Sequence, residues 1–277
     1  MAIAVGYGGK SGVGKGEITT ETVAVAREMF STSEVKTFDQ GALFRMCALE
    51  AIEAGASDID AIVRYALNQI ETDDPDSFLD RFHEVMEDEN RRSKLRSPKI
   101  NSIVANIGKR DEVQVFFRNL MNVRIGRACA EGAKVIVADC RTPGDICQPS
   151  VEAGDIEWSM LGYIHTPSKI SASWAALKNG EPYSINLARI QQRNEDDERR
   201  VAFPNYEPAI STRTEVNSLN YPSLQGRART GSLWLPDSHL YIVNDGTFPL
   251  PELKTAMRGI VQLSLLQATG EIKKIKI

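Results

Sequence analysis

Histidine is scarce in this chain and cysteine is dispersed, and each shortage removes a class of chemistry. The four cysteines, Cys47, Cys129, Cys140 and Cys147, have no C-x-x-C spacing and no histidine partner. That argues against a structural zinc site and against a disulfide framework, and suits reduced cytosolic thiols. His83, His165 and His239 are scattered, so none is expected to ligate a metal and none is assigned chemistry. No apolar run approaches the length needed to span a bilayer, and no basic segment or cleavage site precedes the first motif. We therefore expect a cytoplasmic protein with no membrane role. Positive charge is not in excess either. A formal net charge of −4 gives no general attraction to nucleic acid or anionic lipid, although Arg91-Arg92 and Arg199-Arg200 could grip phosphates locally. Internal repeats and low-complexity segments are missing as well.

What remains is an ordinary globular composition, 42% hydrophobic and 25% charged over 277 residues. That is enough chain for one core domain with insertions or for two small domains. Its most informative feature is the stretch VGYGGKSGVGKGE, which follows a short apolar run that reads as a first strand. Gly9, Gly14 and Lys15 match the phosphate-loop spacing G-x-x-x-x-G-K. In such a loop the glycines let successive N–H groups turn inward. Lys15 reaches the terminal phosphates, and the following helix presents its positive N-terminus. The expected ligand is a nucleoside triphosphate held by Gly9, Lys10, Ser11, Gly12, Val13, Gly14, Lys15, Gly16 and Glu17, with ATP and Mg2+ as cofactors. Gly16 stands where such loops usually carry the hydroxyl that binds magnesium.

The pattern beyond the loop points to an α/β fold. A helix is expected over residues 19–30 and another over 42–54, with Gly55 as its stop. Residues 56–96 carry the charged runs TDDPDS, EDEN and RRSK and read as a solvated helical insertion. Helical spacing returns over 101–131. Lys134 to Asp139 then reads as a buried parallel strand ending in a carboxylate, which should bring Asp139 and Arg141 near the glycine loop. Further strands are expected at 160–165 and 240–244, and a closing amphipathic helix at 251–267. The polar stretch 193–236 is expected to be a mobile lid or loop.

Several blocks, in order, resemble the cytidylate kinases, a branch of the P-loop nucleoside monophosphate kinases. Phe38-Asp-Gln-Gly-Ala-Leu-Phe-Arg45 is similar to the family's D-T-G-A-L-Y-R, and Leu95-Arg-Ser-Pro-Lys-Ile100 to its I-R-T-P-x-V. Ala138-Asp-Cys-Arg141 resembles A-D-G-R, and Arg193-Asn-Glu-Asp-Asp197-Glu-Arg-Arg200 resembles R-D-x-x-D-x-x-R. The resemblance implies a P-loop three-layer α/β fold with a central, mostly parallel sheet. Residues 1–55, 106–190 and 237–277 would form the kinase core, 56–105 a helical insertion binding the monophosphate, and 191–236 a lid with an extra loop. It also implies a monomer whose partner is a small nucleotide. Lys15, Arg141, Arg193 and Arg200 would be catalytic. Asp39, Arg45, Asp139, Arg141 and Arg200 would serve the substrate side, and Asp197 the ribose. Arg127 fits the arginine that approaches the base, with Arg124 as the other candidate. Arginines suit this chemistry because planar guanidinium groups bind phosphate oxygens bidentately and neutralise charge in the transition state. A surface salt-bridge network is the plain alternative for Arg193, Asp197 and Arg200.

The departures gather where the family reads the base. A serine and an aspartate that recognise cytosine there are replaced by Ala105 and Thr142. A threonine hydroxyl can donate or accept and so discriminates less than a carboxylate. The arginine-rich stretch E-E-R-A-x-R-R appears as Lys169-Ile-Ser-Ala-Ser-Trp174, and Glu17 replaces a threonine. Glu17 could sit at the helix N-terminus or order magnesium-bound water. The leading expectation is phosphoryl transfer from ATP to CMP or dCMP. The second is a kinase of the same ancestry acting on a modified pyrimidine nucleotide or on 5-hydroxymethyluracil in DNA, the one reading that involves nucleic acid. A non-catalytic nucleotide-binding protein is the third.

Overall fold

The computed structural model describes residues 1–10, 12–72, 74–95, 97–200, 239–243 and 250–271; for 70, 72, 98, 102, 105, 196–200, 239–243 and 250–253 it describes the backbone alone. The chain divides into two compact units, Met1–Phe38 with Ala128–Ile277, and Asp39–Arg127.

The first unit is built on a sheet. Strands β1 (Ala2–Gly9), β2 (Val35–Asp39), β3 (Val135–Asp139), β4 (Ile156–His165) and β5 (His239–Val243) lie in the order β2-β3-β1-β4-β5. The pairings of β1 with β3, β1 with β4 and β4 with β5 are parallel, so four central strands run in one direction. Parallel strands need covering on both faces, and the two faces of β1 differ accordingly. Val5 and Tyr7 point into a core with Val135, Val137, Met160 and Ile164. That core is closed by Ile18, Val25 and Ala26 of α1 (Lys15–Met29) and by Met257, Val261 and Leu265 of the last helix, α11 (Leu250–Ala268). Three helices separate β3 from the last part of the unit: α8 (Pro143–Glu152), which packs on β1 and β4, α9 (Ser168–Asn179) and α10 (Tyr183–Arg200). Helices against a parallel sheet in this way are compatible with a three-layer α/β fold. One residue, Ser159, is extra in β4 where the register with β1 shifts; its hydroxyl pairs with Ser264 of α11 at 2.7 Å.

The second unit is helical: α2 (Gln40–Glu53), α3 (Ile59–Thr72), α4 (Pro75–Glu87), α5 (Glu89–Lys94), α6 (Pro98–Ile107) and most of α7 (Asp111–Ala130). Its helix starts are written in the sequence. Asp74, Asp88 and Ser97 each accept backbone N–H bonds at an N-cap, and Pro75 and Pro98 occupy first-turn positions where no donor is lost. An aromatic knot fills the interior, with Phe44 and Phe117 rings 4.4 Å apart and Phe78 edge-on to Phe117 at 5.5 Å. Glu50 is buried there and is matched by Arg81, whose Nε donates at 3.2 Å.

The expected strands at 134–139, 160–165 and 240–244 are present within a few residues, as are the helices expected at 19–30, 42–54 and 251–267. Three points differ. The stretch of helical spacing over 101–131 holds two helices, the end of α6, capped by Gly108, and α7. Val35 to Asp39 is a strand, which its alternation with Lys36 and Thr37 left unremarked. Residues 193–200, expected in a mobile lid or loop, continue α10; the remainder of 201–236 lies outside the described residues. The 56–105 insertion falls wholly inside the helical unit, which extends further on both sides. Among the described residues no helix is long and apolar enough to cross a membrane.

Candidate functional site

Candidate residues fall into two clusters, one in each unit. In the sheet unit, β1 ends in the glycine loop and the loop enters α1. Gly9 has φ +135°, and a Cβ there would stand 2.3 Å from the Ile164 carbonyl oxygen; the strand passes too close to its neighbour for any side chain. Gly14 is the N-cap of α1 at φ +93°, with no side chain to cap the first turn. That leaves the positive end of the helix to whatever enters the loop. The loop is held from below by the buried Thr166, whose hydroxyl donates to the Val13 carbonyl at 3.2 Å.

Two cations converge on one oxygen. Lys15 Nζ donates to the Gly9 carbonyl at 2.7 Å and to the Lys10 carbonyl at 2.9 Å. Arg141 Nη1 donates to the same Gly9 carbonyl at 3.3 Å. A phosphate oxygen entering the loop would compete with that carbonyl for both. Asp139 sits across from Tyr7 in the strand register, and the Cys140 thiol that follows it is pushed up, chiefly by burial and then by its hydrogen bond to Cys147. His165, at the end of β4, is pushed below its ordinary value by burial and by Lys10.

Glu17 and Gly16 complete the expected binding segment. No heavy atom from outside the local chain comes within 4 Å of a Cβ built at Gly16. Glu17 is paired with Lys254 of α11 at 2.8 Å. Farther along the same two helices, Arg258 binds Glu21 at 2.9 Å and also bonds Glu28. This row of pairs gives Glu17 a partner that tethers α1 to α11.

In the helical unit, Asp39 accepts from the Ala42 N–H at 3.1 Å and from Arg45 Nη1 at 3.2 Å. Gly41 leaves the space for this fold-back, since a Cβ there would come within 3.3 Å of the Arg45 guanidinium. Arg45 Nε donates to Asn101 Oδ1 at 3.4 Å. Arg124 lies over the Phe82 ring at 4.6 Å. Burial pushes its guanidinium down to about 10, against the opposing pull of the Asp39 carboxylate. The other sequence candidate, Arg127, is engaged elsewhere, in an ion pair with Asp76 of α4.

The remaining candidates divide by what is described. Thr142 is the N-cap of α8 and makes no side-chain capping bond. Arg193 is half-buried on α10. Ser11 lies outside the described residues, as do the side chains of Ala105, Asp197 and Arg200. Two residues at these clusters went unread in the sequence, Asn101 and Lys254, and His165, which was assigned no chemistry, ends β4 beside Lys10. Asn101 directly follows the Leu95–Ile100 block, which is the one signal that could have pointed to it. Among the described residues no group of three or more His, Cys, Asp or Glu side chains could hold a metal ion. No protein-family model matches the chain, and comparison with curated proteins yields no match.

Proposed function

We propose that the glycine loop is a phosphate-binding P-loop and that the protein transfers the terminal phosphoryl group of ATP to a pyrimidine nucleoside monophosphate, CMP or dCMP. The observation that carries this reading is the loop itself: a positive-φ turn at the N-terminus of α1 with Lys15 and Arg141 both bonded to the Gly9 carbonyl. Such a turn offers backbone N–H groups and two cations to a polyphosphate and leaves no room for larger side chains at Gly9. The chemistry asked of it is positioning and charge neutralisation.

The reading assigns one phosphate group to each cluster. Lys15 and Arg141 serve the transferred phosphoryl, and Arg193 and Arg200 of α10 would act with them on it. Arg45 and Arg124 serve the acceptor, oriented by Asp39 and, for Arg45, by Asn101. Asp197 would meet the ribose, and Thr142 and Ala105 the base. In this reading the loop holds the polyphosphate of ATP. Magnesium fits as an ion brought chiefly by the phosphate oxygens and water, with Asp139 the carboxylate at the strand end able to take one position; bound there, it would neutralise charge on the phosphates.

A second reading, phosphorylation of a modified pyrimidine nucleotide or of 5-hydroxymethyluracil in DNA, is favoured by one observation: the Thr142 hydroxyl is not spent on capping α8 and can pair with a base edge that a carboxylate would reject. The test is transfer from radiolabelled ATP with magnesium to CMP, dCMP, UMP, dUMP, dTMP, hydroxymethyl-dUMP and matching DNA duplexes. Labelling of CMP or dCMP supports the first reading. Labelling only of hydroxymethyl-dUMP or of modified DNA supports the second, and ATP binding without transfer to any acceptor overturns both. Lys15→Ala is expected to lower transfer by about 100-fold or more; full activity in that variant rules out the loop assignment.

A further inference from the structure

One face of α9 runs along the glycine loop. Ser171 and Trp174, three residues apart, share that face. A Cβ placed on Gly12 would lie 3.3 Å from Ser171 Cβ and 3.7 Å from its Oγ, and one placed on Gly14 would lie 3.8 Å from Trp174 Cζ3. The two side chains differ in a telling way. Ser171 is 1% exposed and its hydroxyl has no hydrogen-bond partner among the described residues. Buried hydroxyls are ordinarily paired, and this one lies beside Gly12 of the loop. Trp174 is only half-buried, and its ring edge lies beside Gly14, the N-cap of α1.

The loop's own groups recognise phosphate and nothing else. Backbone N–H groups, Lys15 and Arg141 are indifferent to a base, so the nucleoside part of the donor needs a separate surface. An indole supplies one, because any base has a π-face that can stack on it. We propose that Trp174 is a binding residue for the nucleoside portion of the triphosphate donor, and that α9 thereby offers an aromatic wall where cytidylate kinases carry arginines. This rests on the reading of the loop as a triphosphate site.

The test compares ATP with inorganic tripolyphosphate, both with magnesium, by titration calorimetry on the full chain. Trp174→Ala is expected to weaken ATP binding about tenfold and to leave tripolyphosphate binding unchanged. Trp174→Phe, which keeps an aromatic face, is expected to retain ATP affinity to within about threefold. Should the alanine variant not fold, Trp174→Leu takes its place, with ATP affinity lost in the leucine and kept in the phenylalanine variant. Equal weakening of both ligands would make Trp174 a brace for the loop and overturn the proposal, as would unchanged ATP binding in the alanine or leucine variant. Wild-type protein that binds neither compound overturns the loop assignment and this inference together. Wild type that binds both, with ATP affinity insensitive to position 174, overturns this inference alone.

Discussion

The two units bring candidate groups together by opposite means. In the sheet unit the arrangement is made by backbone: a strand end, a turn at positive φ, a helix N-terminus, and carbonyls that hold Lys15 and Arg141. In the helical unit it is made by side chains from distant helices, Asp39 and Arg45 of the α2 start, Asn101 of α6 and Arg124 of α7. Backbone sites tolerate no added atoms but depend on few side chains. Side-chain sites tolerate shape changes but lose their geometry when one partner is removed.

The comparison can be broken most forcefully at Gly9. Gly9→Ala forces a methyl against the Ile164 carbonyl at a φ that L-residues avoid, and is expected to cost about 3 kcal/mol or more. Urea denaturation measures it; a loss below about 1 kcal/mol would mean the backbone there is not constrained as described. The helical unit should respond differently. Asp39→Asn keeps an oxygen for the Ala42 N–H but removes the charge that faces Arg45 and Arg124. Stability is expected to change by less than about 1 kcal/mol, while the acceptor KM rises about tenfold. An unchanged KM would remove this cluster from the acceptor side.

A smaller effect sharpens the picture of the loop's surroundings. His165 is depressed below 6.5 in the folded protein, so between that value and its folded value the unfolded chain binds the extra proton. Stability contributed by neutral His165 is then present above pH 6.5 and declines as pH falls through this window. His165→Gln should flatten the pH dependence of the urea midpoint between pH 7 and 5; an unchanged slope would place the depression elsewhere. The smallest expected effect is at Glu17. Its pair with Lys254 is partly exposed, so Glu17→Gln is expected to cost about 0.5 kcal/mol or less. Transfer should stay near wild type. A large fall in transfer with unchanged stability would return Glu17 to ordering magnesium-bound water.

Legibility followed the same division. The loop could be read because glycine at fixed spacing leaves few other backbone solutions, and β3, β1 and the last helix could be read because buried strands and amphipathic helices carry strong periodicity. The short, half-polar β2 could not, since Val35-Lys-Thr-Phe-Asp39 buries only Val35 and Phe38 fully. Nor could the helical continuation through 193–200, whose residues are polar on every side. Arg124 and Arg127 have the same chemistry one turn apart on α7. Only packing separates them, placing one over Phe82 and the other against Asp76.

By itself the sequence determined the glycine turn, the apolar strands that flank it, the helix caps at Asp74, Asp88 and Ser97, and the supply of arginines, because each is a local constraint of backbone geometry or hydrogen bonding. Tertiary structure decided which arginine lies near Asp39, that Asn101 supports Arg45 from 56 residues away, that Glu17 is tied to Lys254, and that Ser171 and Trp174 line the loop. Those outcomes depend on how whole elements pack, and packing is set by the sum of many weak contacts that no short stretch of sequence contains.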